Sequence, residues 1–378
     1  MTTADNYAER RNRLRRSVEA EAIALFGLSS IRYFTGFSGS NALLWIDSST
    51  ADNDFLITDG RYTLQASVEC PGIAVEICSS RGSAALTEVG RMRHLQANTL
   101  GVDGEFLNWL DYQELAAWLS SSTQQDITSA GVMGLLNDVS AHIAQLRSVK
   151  DDSEITALDH AAQCAEAALQ QLIEEETLLP GATEIEVAAR LDYLMKVRGS
   201  EGVSFETIVG TGANSAIPHH SPDSTPIAAG DLIVIDFGAV VGGYHSDCTR
   251  TFCVGESTAW QEEIADCVWR AHQAALAEVH PGVSAGDLDK AARSVIDDAG
   301  YGPYFGHSTG HGVGVDIHEH PWVRSGSPEE LVAGSVFTIE PGIYLPERGG
   351  VRIENTYVLE ECGNVRSLQA LSAELLHV

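Results

Sequence analysis

The chain has 378 residues, 44% of them hydrophobic, and carries a formal net charge of −30 at pH 7. That length suits two domains with sizeable cores. The charge excludes nucleic acid and anionic lipid as partners, since both would be repelled, and no run of roughly 18 apolar residues is present to span a membrane.

The first residues, MTTADNYAERRNRLRR, lack an apolar signal core. Export by that route is therefore not expected, and the reading is a cytoplasmic protein. Cys70, Cys78, Cys164, Cys248, Cys253, Cys267 and Cys362 form no CxxC pair, which favours reduced thiols over a disulfide frame or a thiolate zinc site. Arg10, Arg11, Arg13, Arg15 and Arg16 fall in a polar helix predicted over about residues 5–20. They are read as a solvated face pairing with nearby acids.

Residues 1–140 alternate strand-like and helix-like segments and predict an N-terminal mixed α/β domain. AIALFG, IRYFTG, NALLWI and DFLITD are strand-like, and helical patterns lie near 60–70, 83–97 and 108–120, with short strands at AVEIC and TLGVD. Asp59-Gly60-Arg61 reads as a turn closed by an Arg–Asp pair. Residues 141–152 form a connecting segment, with Asp152 or Ser153 capping the helix that follows.

The second domain, residues 153–378, opens with helices to about 177 and over about 183–199, the latter started by a Thr183/Glu186 capping box. VSFETIVGTG is strand-like, and a Pro- and Ser-rich loop, ANSAIPHHSPDSTPIAAGD, follows it. Helices are predicted over about 258–279 and 284–299, and the remainder is rich in glycine and strands. The fold class is α/β with two domains.

The loop leads into DLIVIDFGAVVGGYHSDCTR. Its apolar run, Leu232 to Ile235, reads as a buried strand, yet it meets an acid at Asp236, and a second strand reaches Asp247. Burying two ionised carboxylates side by side is unfavourable unless a cation lies between them. Taken alone, the stretch also fits a solvated hairpin with two surface acids. Further on, GHSTGHGVGVDIHEHP brings His307, His311, His318 and His320 among glycines. SVFTIEPGIY and GGVRIENTYVL then repeat the theme with Glu340 and Glu354 in apolar strands. Four carboxylates and one imidazole make an oxygen-rich shell for two divalent ions, manganese or cobalt first and zinc or iron second. No EF-hand loop supports calcium.

IDFGAVVGGYHSDCTRTF, HSTGHGVG, TIEPGIY and GVRIENT resemble the metal-binding segments of the pita-bread metallopeptidases, in the proline-specific branch that holds aminopeptidase P and prolidase. YFTGFSGSNALLWI and FLITDGRYTLQA resemble that branch's creatinase-type N-terminal domain. The resemblance implies that Asp236 chelates one ion, Asp247 and Glu354 bridge both, and His311 and Glu340 bind the second. It further implies that His219, His307 and Arg352 line the substrate pocket, and that His318 stands near the scissile carbonyl. Glu340 and His318, with His219, are the expected catalytic groups. His220 and His320 match no role and are read as bystanders.

The implied reaction is removal of an N-terminal residue from a peptide with proline second, by a hydroxide shared between the two ions. An Xaa-Pro dipeptidase is the alternative, and a non-catalytic binding module or a creatine amidinohydrolase fits less well because all five ligand positions are intact. The resemblance also implies a homodimer.

Overall fold

The helix α1 (Thr3–Ser17) lies at the start of the described residues, 3–123 and 135–378, of this computed structural model. The expected solvated face forms only in part: Arg13 and Arg16 are exposed and pair with Glu9 at 3.5 and 2.8 Å, while the other three arginines turn inward. Arg10 and Arg11 are buried, and Arg11 and Arg15 close on Asp54 at 3.0 and 2.7 Å. Asp54 is 3% exposed, and a carboxylate so deep requires cations beside it. Arg10 and Arg11 also donate to the carbonyls of Tyr33 and Phe34.

Those carbonyls belong to a second correction. The strand expected at IRYFTG is part of the helix α2 (Leu28–Thr35). Ile31 and Phe34, three apart, are both fully buried, and Gly36 ends the helix at φ 83°, a conformation glycine adopts without strain. The period there is helical, and aromatic and β-branched composition hid it.

The chain divides into two units, Met1–Leu146 and Arg147–Val378. In the first, β1 (Ala22–Leu25), β2 (Ala42–Asp47), β3 (Phe55–Thr58), β4 (Ala74–Ile77), β5 (Leu100–Val102) and β6 (Leu136–Asp138) form one sheet in the order β4-β3-β2-β1-β5-β6. It is mixed: β1/β2 and β2/β3 are antiparallel and the other pairs parallel. The helices α3 (Thr63–Glu69), α4 (Gly82–Arg93) and α5 (Trp109–Thr123) are distributed along it, and Trp45, Phe55, Leu86, Leu115 and Trp118 share one core. The Asp59–Arg61 pair is present at 2.8 Å. Helix α6 (Ser140–Ser148) follows.

In the second unit, α7 (Asp152–Glu174) is capped one residue earlier than expected. Asp151 accepts from the N–H groups of Ser153 and Glu154, and Glu154 bonds back, completing a capping box. The helix α8 (Glu184–Val197) carries the Thr183/Glu186 box as read. Both pack on a four-stranded sheet of β7 (Ile208–Thr211), β8 (Leu232–Phe237), β11 (Cys248–Cys253) and β19 (Leu376–His377), with the ribbon β9 (Val240–Val241) and β10 (Tyr244–His245) between β8 and β11. The pattern then recurs. Helices α9 (Ala259–Ala277) and α10 (Ala285–Asp298) back a five-stranded sheet of β12 (Gly310–Gly312), β13 (Glu319–Val323), β14 (Val336–Ile339), β17 (Asn355–Leu359) and β18 (Val365–Ser367), with the hairpin β15 (Gly342–Leu345) and β16 (Gly349–Arg352) alongside.

Strand alternation places the first acid. Ile233, Ile235 and Phe237 join the core beneath α7 and α8, so Asp236 points away from those helices. Thr249 on β11 stands directly opposite it. All seven cysteines are free thiols.

Candidate active site

Ten residues singled out in the sequence line one cavity of about 460 Å³: Asp236, Asp247, His311, Glu340, Glu354, His219, His307, His318, Arg352 and the bystander His220. Asp236 comes from β8, Asp247 is the residue before β11, Glu340 is the residue after β14, and Glu354 is the residue before β17. His311 is the centre of β12, flanked by Gly310 and Gly312. A Cβ at either glycine would meet a carbonyl oxygen of Thr338 or His320 at 2.1 or 2.2 Å, so only glycine lets the neighbouring strands close around the histidine.

His311 fixes the electrostatic sense of the site. Its Nδ1 lies 3.0 Å from the Gly312 carbonyl oxygen, which can only accept, so Nδ1 carries the hydrogen. Burial, then the neighbouring His318, holds the ring's pKa down at about 3, so it is neutral. Nε2 therefore turns a lone pair towards Asp247 Oδ2 and Glu340 Oε1, each 3.4 Å away. Three electron-rich atoms facing one another repel unless a cation or a shared proton lies among them. Asp247, His311 and Glu354 also bring ligand atoms within 4.8 Å of one another, and Oδ1 of Asp236 is buried with no hydrogen-bond partner among the described residues. The donor set is thus one that divalent ions fit.

The acids report the same imbalance. Asp247 is pushed well above the usual carboxylate range by burial and by the charges of Glu354, Asp236 and Glu340. Glu354 is raised by burial and by Glu340 and Asp236, and Glu340 rises to about 8, chiefly through burial.

Around the acids runs a hydrogen-bonded frame that the sequence did not disclose. Thr249 Oγ1 donates to Glu354 Oε2 at 2.8 Å and accepts from Arg352 Nε at 3.0 Å. Arg352 Nη2 donates to Asp236 Oδ2 at 2.7 Å, and Nη1 donates to the Tyr344 hydroxyl at 2.9 Å and the Pro218 carbonyl at 3.3 Å. His307 Nδ1 donates to the Ser308 carbonyl, so its Nε2, 2.9 Å from the Tyr344 hydroxyl, accepts from it. Burial, then Arg352, lowers the His307 pKa to about 4, and burial raises Tyr344 to about 12, so this chain keeps its protons in place. Arg352 and His307 line the cavity with these polar atoms already engaged. Thr249 had one available signal: it lies two residues past Asp247, on the same face of an extended chain.

His219 and His318 are the exposed members of the set. His318 sits edge-on to His311 with ring centroids 4.4 Å apart, and partial burial lowers its pKa. Phe205, Ile208, Pro218 and Trp322 supply apolar wall. The two bystander histidines are both engaged: His220 with Glu184 at 2.6 Å, and His320 with Glu329 at 2.7 Å and with the Trp322 indole N–H at 3.3 Å.

Residues 156–361 match the model of metallopeptidase family M24, and residues 10–149 match the creatinase/prolidase N-terminal domain. The chain is 36% identical over 341 residues to the Xaa-Pro dipeptidase of Pyrococcus furiosus, covering 89% of this chain and 92% of that one. Among solved structures it is similar to an Xaa-Pro dipeptidase from Bacillus anthracis (TM-score 0.87, 33% identity, 99% of this chain and 100% of that one). It is also similar to an X-Pro aminopeptidase from Thermotoga maritima (TM-score 0.84, 33% identity, 98% and 99%).

Proposed function

This chain belongs to metallopeptidase family M24, with a creatinase/prolidase N-terminal domain ahead of the M24 region, and on that premise we propose that it hydrolyses the bond between an N-terminal residue and proline. The observation that carries the reading is the neutral His311 ring, whose bare Nε2 faces Asp247 and Glu340 at 3.4 Å. In this reading Asp236, Asp247, His311, Glu340 and Glu354 hold two divalent ions. When bound, such ions supply Lewis acidity and a water acidic enough to ionise near neutral pH.

The protein's own groups do the rest. Glu340 takes the water's proton on its carboxylate and passes it to the leaving proline nitrogen. His318, exposed to the cavity beside His311, donates to the oxyanion that forms on the scissile carbonyl. His219 binds the substrate from the opposite loop. The proline nitrogen bears no hydrogen, so the cavity needs no acceptor for it, and apolar wall from Phe205, Ile208 and Trp322 suits the ring. Glu206 adds to an acidic lining that favours a charged amino terminus.

The aminopeptidase preference drawn from the sequence gains no advantage from the relatives. One solved relative is named a dipeptidase and another an aminopeptidase, both at 33% identity, and the Pyrococcus furiosus protein is named a dipeptidase. Xaa-Pro dipeptides are therefore the leading substrates. One observation favours longer peptides: Arg352 is the only arginine or lysine among the described residues lining the cavity, and its guanidinium already holds Asp236, Tyr344, Thr249 and Pro218. A dipeptide's carboxylate needs a free cation close by. A side-by-side assay of an Xaa-Pro dipeptide, an Xaa-Pro-Yaa tripeptide and an Xaa-Ala-Yaa control decides. Preference for the alanine control would remove the protein from the proline-specific branch. The assembly proposed with this activity is a homodimer, and light scattering that returns the mass of one chain at every concentration would sink it.

A further inference from the structure

His219 reaches the cavity from the stretch between Thr211 and Thr225, whose regular structure is one short 3₁₀ turn, Gly212–Ala216. Such a stretch holds a side chain in place only if something else holds the stretch. That something is Glu184, the first residue of α8, whose exposure is 0%. Its Oε1 accepts from the Thr211 N–H at 2.8 Å and from Asn214 Nδ2 at 3.0 Å. Its Oε2 accepts from His220 Nε2 at 2.6 Å and from the Asp223 N–H at 3.2 Å. The four donors come from before and after His219 and bracket it.

Glu184, His220 and Asp223 are close enough to share a cation. A cation is not what they are built for, because each Glu184 oxygen already faces two N–H donors, and donors and a metal compete for the same lone pairs. The cluster is a hydrogen-bonding hub. Its far side is tied to the acids as well: the Pro218 carbonyl accepts from Arg352, which also binds Asp236.

We infer that Glu184, acting through His220, is a positioning residue that sets where His219 stands in the cavity. This rests on the reading of His219 as a substrate-binding side chain. A glutamine at 184 turns an NH₂ group towards two of the four donors whichever way it lies, so the stretch loses its bracket.

The test is a double-mutant cycle on an Xaa-Pro substrate, with kcat and KM measured for the parent, Glu184→Gln, His219→Ala and the pair, and with metal content and melting temperature recorded for each. Glu184→Gln should raise KM on the order of ten-fold, the scale of a modest misplacement, with metal content unchanged. In the His219→Ala background it should add nothing. A purely structural role would give the same effect in both backgrounds, and that result overturns the inference while leaving the proposed function standing. A His219→Ala enzyme with parental kcat and KM overturns the reading of His219, and the inference with it. Should Glu184→Gln fold poorly, His220→Ala, which leaves the other three Glu184 contacts, carries the same cycle.

Discussion

Arg352 Nη2 stands 2.7 Å from Asp236 Oδ2 and leaves Oδ1 of that carboxylate buried with no partner among the described residues. The arginine thus orients the acid and reserves one oxygen. Arg352→Lys would keep the charge but lose the fork that reaches Asp236, Tyr344 and Thr249 together. Affinity for manganese or cobalt, measured by calorimetric titration of metal-free protein, should fall about 10- to 100-fold. Unchanged affinity would mean that Asp236 needs no such partner.

Thr249→Val removes one hydroxyl of nearly the same shape. It strips Glu354 of the 2.8 Å donor and Arg352 of an acceptor. The two buried groups left short should lower stability by about 1–3 kcal/mol. Denaturant unfolding of the metal-loaded protein checks this, and a loss below that range would show that the frame relaxes around the valine.

His318→Ala should separate chemistry from metal binding. The ring packs against His311 and lines the cavity. Removing one donor to a developing oxyanion typically lowers the rate about 100- to 1,000-fold. Metal content by elemental analysis should stay near the parent's. If the ions are lost instead, His318 belongs to the ligand set.

His272 gives the fold an acid limit away from the cavity. It is fully buried, stacked on Trp269, and within 3.2 Å of the Tyr357 hydroxyl. Burial, then Arg250, lowers its pKa to about 3, against about 6.5 in an unfolded chain. A depressed pKa means that the unfolded state binds the extra proton first. Its contribution is therefore intact above pH ~6.5 and is lost as pH falls from there towards ~3, at up to about 1.4 kcal/mol per pH unit. His272→Phe should flatten the stability–pH curve across that window. An equally steep curve would clear His272 of the effect.

The acids were legible because they break a rule: Asp236, Glu340 and Glu354 each interrupt or end a run that should be core. Most elements were legible for the opposite reason, because they keep the rules of period and capping, as with Thr183 and Glu186. The failures share a cause too. Arg10 and Arg11 read as solvated because the partners they answer, the Tyr33 carbonyl and the buried Asp54, lie 23 and 43 residues on. Arg352, Tyr344 and His307 form a chain whose order depends on which strands meet. His220 read as a bystander because its partner, Glu184, sits 36 residues earlier in a helix's first turn. Hydrogen-bond partners set by tertiary contact leave no local pattern.

That distance along the chain also governs when the site can exist. Asp236 meets Arg352 across 116 residues, and Thr249 meets Glu354 across 105. Contacts of such long range form late, after the loops between them have closed. A growing or partly folded chain holds its acids far apart and has little hold on an ion. On the proposed reading, in which these acids hold divalent ions, ion capture waits for the finished architecture, and bound ions would act as a latch on it, stabilising the native state by mass action rather than guiding the route to it.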